Sequence, residues 1–207
     1  MDKGYFFAFE GIDGSGKSTQ IRLLMEKLRQ KGLPCYETRE PTDGPVGSIV
    51  HQIMTGRIKA DGRVISSLFA SDRLDHLTNP VNGLCKEIDR GITVVTDRYY
   101  FSSYAYNGVD MPMDWVMECN RLSAELLRPT LHIFLDIPVS TAMARIAKNR
   151  LHTELYEKEE RLTAVRDNYF KVFEQLKDVE RVAVIDADAD VETVAQRVWE
   201  AVQAVLS

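Results

Sequence analysis

The sequence predicts an α/β fold, a three-layer α/β/α sandwich around a five-stranded parallel sheet. Three observations predict it. Short apolar runs alternate with longer segments of helical periodicity from one end of the chain to the other. The first run, residues 5–9 (Tyr-Phe-Phe-Ala-Phe), is continuously apolar, as a strand covered on both faces requires. A glycine-rich turn follows it directly and opens a helix, which is how a βα unit begins.

Each element has its own signal. After the glycine-rich turn, Ile21, Leu24, Met25 and Leu28 recur at helical spacing, and Gly32 marks the stop. Residues 35–39 read as a second strand, ended by Pro41 and the polar turn Thr42-Asp43-Gly44-Pro45. Residues 47–56 and 63–90 read as helices, the second interrupted near Pro80. Residues 92–96 form a β-branched strand, 114–127 a helix, and 131–135 a strand stopped by Asp136 and Pro138. Residues 140–150 and 159–176 are helical, 182–185 is the last strand, and 191–206 an amphipathic closing helix.

The chain has 207 residues, the size of one domain with a short mobile lid, expected around residues 145–157. Hydrophobic residues make up 44% and charged residues 28%, ordinary values for a globular protein. The formal net charge of -5 argues against a nucleic acid or an anionic membrane surface as partner. An anionic ligand must therefore be met by a local concentration of Arg and Lys. The three cysteines, Cys35, Cys85 and Cys119, are widely spaced and have no CxxC or His pair near them. That argues against a disulfide framework or zinc site and fits a reducing, cytoplasmic setting. No stretch approaches the roughly 20 apolar residues of a membrane span.

In parallel sheets, ligands bind where strands end. After the first strand stands Gly11-Ile12-Asp13-Gly14-Ser15-Gly16-Lys17-Ser18-Thr19, a full match to G-x-x-x-x-G-K-[ST], with a strand before it and a helix after it. Glycines let successive backbone N–H groups turn inward toward phosphate oxygens, and the helix adds its positive end. Lys17 reaches the β- and γ-phosphates, and the Ser18 hydroxyl suits Mg²⁺. The sandwich thereby becomes a P-loop NTPase fold with a nucleoside triphosphate as phosphoryl donor. After the third strand, Asp97 is placed to serve the same metal and Arg98 to enter the same cleft; after the second, Arg39 is placed to grip a phosphate. On the helix between, Phe69 and Arg73 share a face and could clamp a planar base, although spacing alone leaves Phe69 to the core and Arg73 to solvent.

These pieces occur in a familiar order. Phe9-Glu10 before the phosphate loop, then Thr38-Arg39-Glu40-Pro41, residues 69–73, Asp97-Arg98-Tyr99 and residues 102–108 resemble thymidylate kinase over nearly the whole chain. The resemblance implies an enzyme that moves the γ-phosphoryl of ATP to dTMP, with Mg²⁺, as a homodimer. It implies that Asp13 contacts the acceptor's 3′-hydroxyl, and that Arg39 and Arg98 hold its monophosphate. It further implies that Phe69 stacks on thymine, that Arg73 bonds its edge, that Ser103 lies near the base, and that Tyr106 crowds out a ribose 2′-hydroxyl. Some relatives carry an arginine inside the phosphate loop; here residues 12–15 hold none, so the catalytic cation must come from the lid. Arg150 is favoured, with Arg145 close behind and Lys148 third. Another nucleotide or small-metabolite kinase remains the alternative. A regulatory GTPase is disfavoured because no Asn-Lys-x-Asp follows.

Overall fold

A computed structural model of the chain describes residues 3–149 and 158–206. In chain order the elements are β1 (Phe6–Glu10), α1 (Lys17–Gln30), β2 (Cys35–Arg39), α2 (Pro45–Met54), α3 (Gly62–Thr78), α4 (Leu84–Asp89) and β3 (Thr93–Asp97). There follow α5 (Tyr100–Asn107), α6 (Met113–Leu126), β4 (Leu131–Asp136), α7 (Val139–Asn149), α8 (Glu159–Leu176), β5 (Val182–Asp186) and α9 (Val191–Leu206).

The strands pair in the order β2-β3-β1-β4-β5, all parallel. Phe9 lies opposite Asp97 on one side and Ile133 on the other, so β1 is central and its carboxyl end meets that of β3. The chain leaves β1 toward β2 on one side of the sheet and later crosses to β4 on the other. That reversal opens a crevice beside β1 at the carboxyl edge. Every residue of β1 is buried. The same core holds Ile21, Leu24, Met25 and Leu28 of α1 and the aromatic side chains Phe101, Phe134 and Tyr169. Burying side chains of this size stabilises the fold by about 1.5–3 kcal/mol each.

The expected five-stranded parallel sheet is present, and most boundaries move by one residue. The interruption expected near Pro80 within residues 63–90 is a full break: α3 stops before Asn79–Pro80 and Gly83 precedes α4. Helix α2 starts at Pro45, earlier than expected, since proline suits the first helical position. Helix α5 has no counterpart in the sequence reading. Residues 150–157, which include Arg150 and most of the expected lid, lie outside the described residues.

Candidate active site

The loop between β1 and α1 is built on left-handed glycines. Gly14 has φ 79° and Gly16, the residue capping α1, has φ 95°. A Cβ on Gly14 would sit 2.7 Å from the Ala142 carbonyl oxygen, so both conformation and space demand glycine there. Lys17, the first residue of α1, is buried, and its Nζ donates to the carbonyls of Gly11 (3.0 Å) and Ile12 (3.3 Å). Burial, helped by the nearby Arg98, lowers its pKa. The ammonium is thus poorly solvated and poised over the loop, a setting in which an arriving phosphate gains most.

Asp97 ends β3. Its Oδ2 lies 3.4 Å from Ser18 Oγ, and its Oδ1 is buried with no hydrogen-bond partner among the described residues. Arg98 comes next with φ 72°, a left-handed conformation uncommon outside glycine. Its N–H donates to the Phe9 carbonyl, and its own carbonyl accepts from Thr96 Oγ1. This over-determined turn aims the guanidinium across the crevice. Nη2 bonds Asp13 Oδ1 at 2.6 Å, Nη1 bonds Ser102 Oγ at 3.2 Å, and the group lies over the Tyr106 ring. The Tyr106 hydroxyl donates to Asp13 Oδ2 at 2.9 Å and accepts from the Asp13 N–H.

Beneath this cluster lies Glu10, the last residue of β1 and fully buried. It accepts from the Tyr99 N–H, Ser102 Oγ and Tyr169 OH. Burial pushes its carboxyl up to about 7, against the pull of those hydroxyls and of Arg98.

A cleft of about 790 Å³ unites the parts. Of the positions expected from sequence it is lined by Asp13 through Thr19, Arg39, Phe69, Arg73, Asp97, Arg98, Ser103, Tyr106 and Arg145. Gly11 and Ile12 are not on its wall; Ile12 is core, and both offer only their carbonyls to Lys17. Arg39 forms an exposed pair with Asp43, with Nη2 at 2.8 and 3.0 Å from its two carboxylate oxygens. Arg145 reaches back from α7 to the carbonyls of Gly14 and Ala187, each at 3.4 Å, and so ties the phosphate loop to the turn after β5. Lys148 is exposed, and Arg150 lies outside the described residues.

The solvated Arg73 that spacing alone suggests is overturned. It is 1% exposed and ion-paired to Glu40, while Phe69 is half-buried on the same cleft. Glu40, Asn120 and Glu10 received no role from sequence. A glutamate closing an apolar strand, as Glu10 does, is a usable signal of a buried carboxylate; Asn120 carries none. In the turn after β5, Asp186 and Asp188 are exposed, and Ala187 and Ala189 face the cleft.

A glycine cradle on a helix start, with a buried lysine and a second set of arginines one strand away, defines a P-loop phosphotransferase. The thymidylate kinase family description matches residues 9–198. The chain is 34% identical to the "Probable thymidylate kinase" of Thermococcus kodakarensis, over 97% of this chain and 98% of that protein. It is 37% identical to the "Probable thymidylate kinase" of Thermococcus onnurineus, over 91% and 92%. To the "Thymidylate kinase" of Afipia carboxidovorans it is 35% identical, over 97% and 90%. The chain belongs to the thymidylate kinase family.

Proposed function

We propose that the chain, acting as one domain, transfers the γ-phosphoryl of ATP to dTMP, giving dTDP and ADP for dTTP synthesis. The observation that carries this reading is the juxtaposition of Lys17, in a phosphate loop, with Arg98 and Arg39 at the ends of adjacent strands in one cleft. No observation favours another acceptor.

In this reading the loop N–H groups of residues 13–19 and Lys17 hold the donor phosphates. Arg39 and Arg98 hold the acceptor phosphate, Asp13 meets the sugar 3′-hydroxyl, Phe69 covers the base, and Arg73 with Ser103 meets its edge. Tyr106 fills the space a 2′-hydroxyl needs. Among the described residues, Arg145 is the lid-side cation that reaches the loop, and its bonds to Gly14 and Ala187 support that role. The residues present fit Mg²⁺: a carboxylate oxygen left without a partner and a hydroxyl beside it are the hard oxygen donors that ion takes, with phosphate oxygens and water completing its shell. Bound by Ser18 and Asp97, it would neutralise charge on the triphosphate. Phosphoryl transfer needs positioning and charge neutralisation more than covalent help from the protein. An acceptor phosphate oxygen is already anionic near pH 7, so no strong base is required. The arginines and Lys17 offset the repulsion of two polyanions and align them for in-line attack.

A homodimer is supported by apolar side chains left exposed on the packed pair α3 and α6, namely Val64, Leu122 and Leu126. Three free cysteines support a reducing cytoplasm. The test is turnover with a panel of monophosphates and ATP, for wild type and Lys17→Ala. The wild type should favour dTMP. The variant should lose about 10³-fold or more in kcat while keeping its fold by circular dichroism. Wild-type turnover of dTMP no better than of CMP or AMP would overturn the reading.

A further inference from the structure

We propose that Asn120, acting through Arg73, is the positioning residue that sets the cleft's choice of a 4-oxo over a 4-amino pyrimidine. The inference rests on the acceptor assignment above and deepens it. Arg73 has five N–H donors. Its Nε and Nη2 both grip Glu40 Oε2 at 2.7 Å. Its Nη1 donates to Ser103 Oγ at 3.1 Å and to Asn120 Oδ1. One N–H on Nη2 is left to a ligand, from a side chain on the cleft wall.

The clamp is itself held. Asn120 is fully buried on α6 and off the cleft wall, and its Nδ2 donates to the Val116 carbonyl at 2.8 Å. That bond fixes the amide's orientation: flipping it would set NH₂ against guanidinium and carbonyl against carbonyl. Oδ1 is therefore a committed acceptor. Behind Glu40, His76 Nδ1 lies 3.1 Å from Oε1, and His76 Nε2 lies 2.8 Å from Thr38 Oγ1. Residues from the end of β2, from α5 and from α6 thus immobilise a group that is normally flexible. A five-donor fork becomes a reader with one donor in one place.

Such a reader accepts a carbonyl oxygen at the pyrimidine 4-position. A 4-amino group there sets donor against donor and leaves both unpaired, the kind of mismatch that discriminates strongly. Without Asn120, Nη1 loses a partner and the guanidinium gains freedom, so the 4-oxo preference should fall before the chemistry does.

The experiment measures kcat and KM separately for dTMP, dUMP and dCMP in wild type, Asn120→Leu and Asn120→Asp. For Asn120→Leu, KM for the two 4-oxo substrates should rise about tenfold, with kcat within about threefold and dCMP little changed, so the dTMP:dCMP ratio of kcat/KM narrows about tenfold. Asn120→Asp loses the donor to the Val116 carbonyl but offers Nη1 a charged acceptor, which draws the carboxylate to the guanidinium, and it should hold the wild-type ratio within about threefold. If Asn120→Leu does not fold, Asn120→Ser, whose hydroxyl stops short of Nη1, gives the same reading. Equal losses toward dTMP and dCMP, or an unchanged ratio, overturn the inference while leaving the acceptor assignment standing. A wild type that does not use dTMP overturns the assignment beneath it.

Discussion

The roles proposed for Tyr106 give one side chain two jobs that substitution can separate. Its hydroxyl bonds Asp13 from both sides, and its ring is buried under Arg98. Tyr106→Phe keeps the ring and removes the tie, so it should weaken acceptor binding by about tenfold while preserving the preference for deoxyribose. Tyr106→Ala opens the space and should narrow the dTMP-to-ribothymidine-monophosphate ratio of kcat/KM by about tenfold or more. Paired steady-state measurements check both, and an unchanged ratio in the alanine variant removes Tyr106 from that role. At this scale the sequence was informative where chemistry is local. Lys17 and Ser18 stand in a motif whose spacing has a physical cause. Arg73 was not legible, because its burial depends on Glu40 and Asn120, 33 positions before it and 47 after it. The left-handed turn at Arg98 was equally invisible, since arginine gives no sign of positive φ.

Among elements, the phosphate loop tolerates least. Gly14→Ala combines a φ of 79° with a Cβ 2.7 Å from the Ala142 carbonyl. Either the loop or the start of α7 must move. The variant should lose about 2–4 kcal/mol of stability by urea denaturation and most of its ATP affinity. Stability within about 0.5 kcal/mol of wild type would mean the loop relaxes freely. The strands were legible because continuous burial leaves a continuous apolar run, as in β1. The edge strand β2, mostly open to solvent, was found through its flanking turn and Pro41 instead. Helix α5 was missed for a physical reason. All eight of its residues are buried, so no polar face alternates with an apolar one and the 3.6-residue period disappears. Yet α5 supplies Ser102, Ser103 and Tyr106 to the cleft.

At the scale of the molecule, Glu10 links the site to stability. Its carboxyl, near 4.5 when unfolded, is held at about 7 in the fold. A raised acid contributes no penalty below the unfolded value and progressively destabilises the fold as pH rises from about 4.5 to about 7. The cost levels off above that, at about 3 kcal/mol. Wild type minus Glu10→Gln, compared by denaturant titration from pH 4.5 to 8, should show this decline; parallel curves would assign the charge elsewhere. The overall architecture was legible because alternation of elements and one phosphate motif constrain strand order strongly. The wall of the cleft away from the phosphate loop was less so, because it is assembled from α3 and α5, with Asn120 of α6 behind them, by packing that no local pattern records.

The resting pairs in the cleft have a kinetic meaning. Arg39 pairs with Asp43, and Arg98 with Asp13. In the proposed roles, an incoming phosphate would displace a carboxylate at Arg39 and share Arg98 with another, so each gain would be a difference between two attractions. On the same reading, release of the diphosphate would return each cation to its carboxylate. In that proposed exchange, each carboxylate competes with bound phosphate for its arginine, which works against tight retention of product.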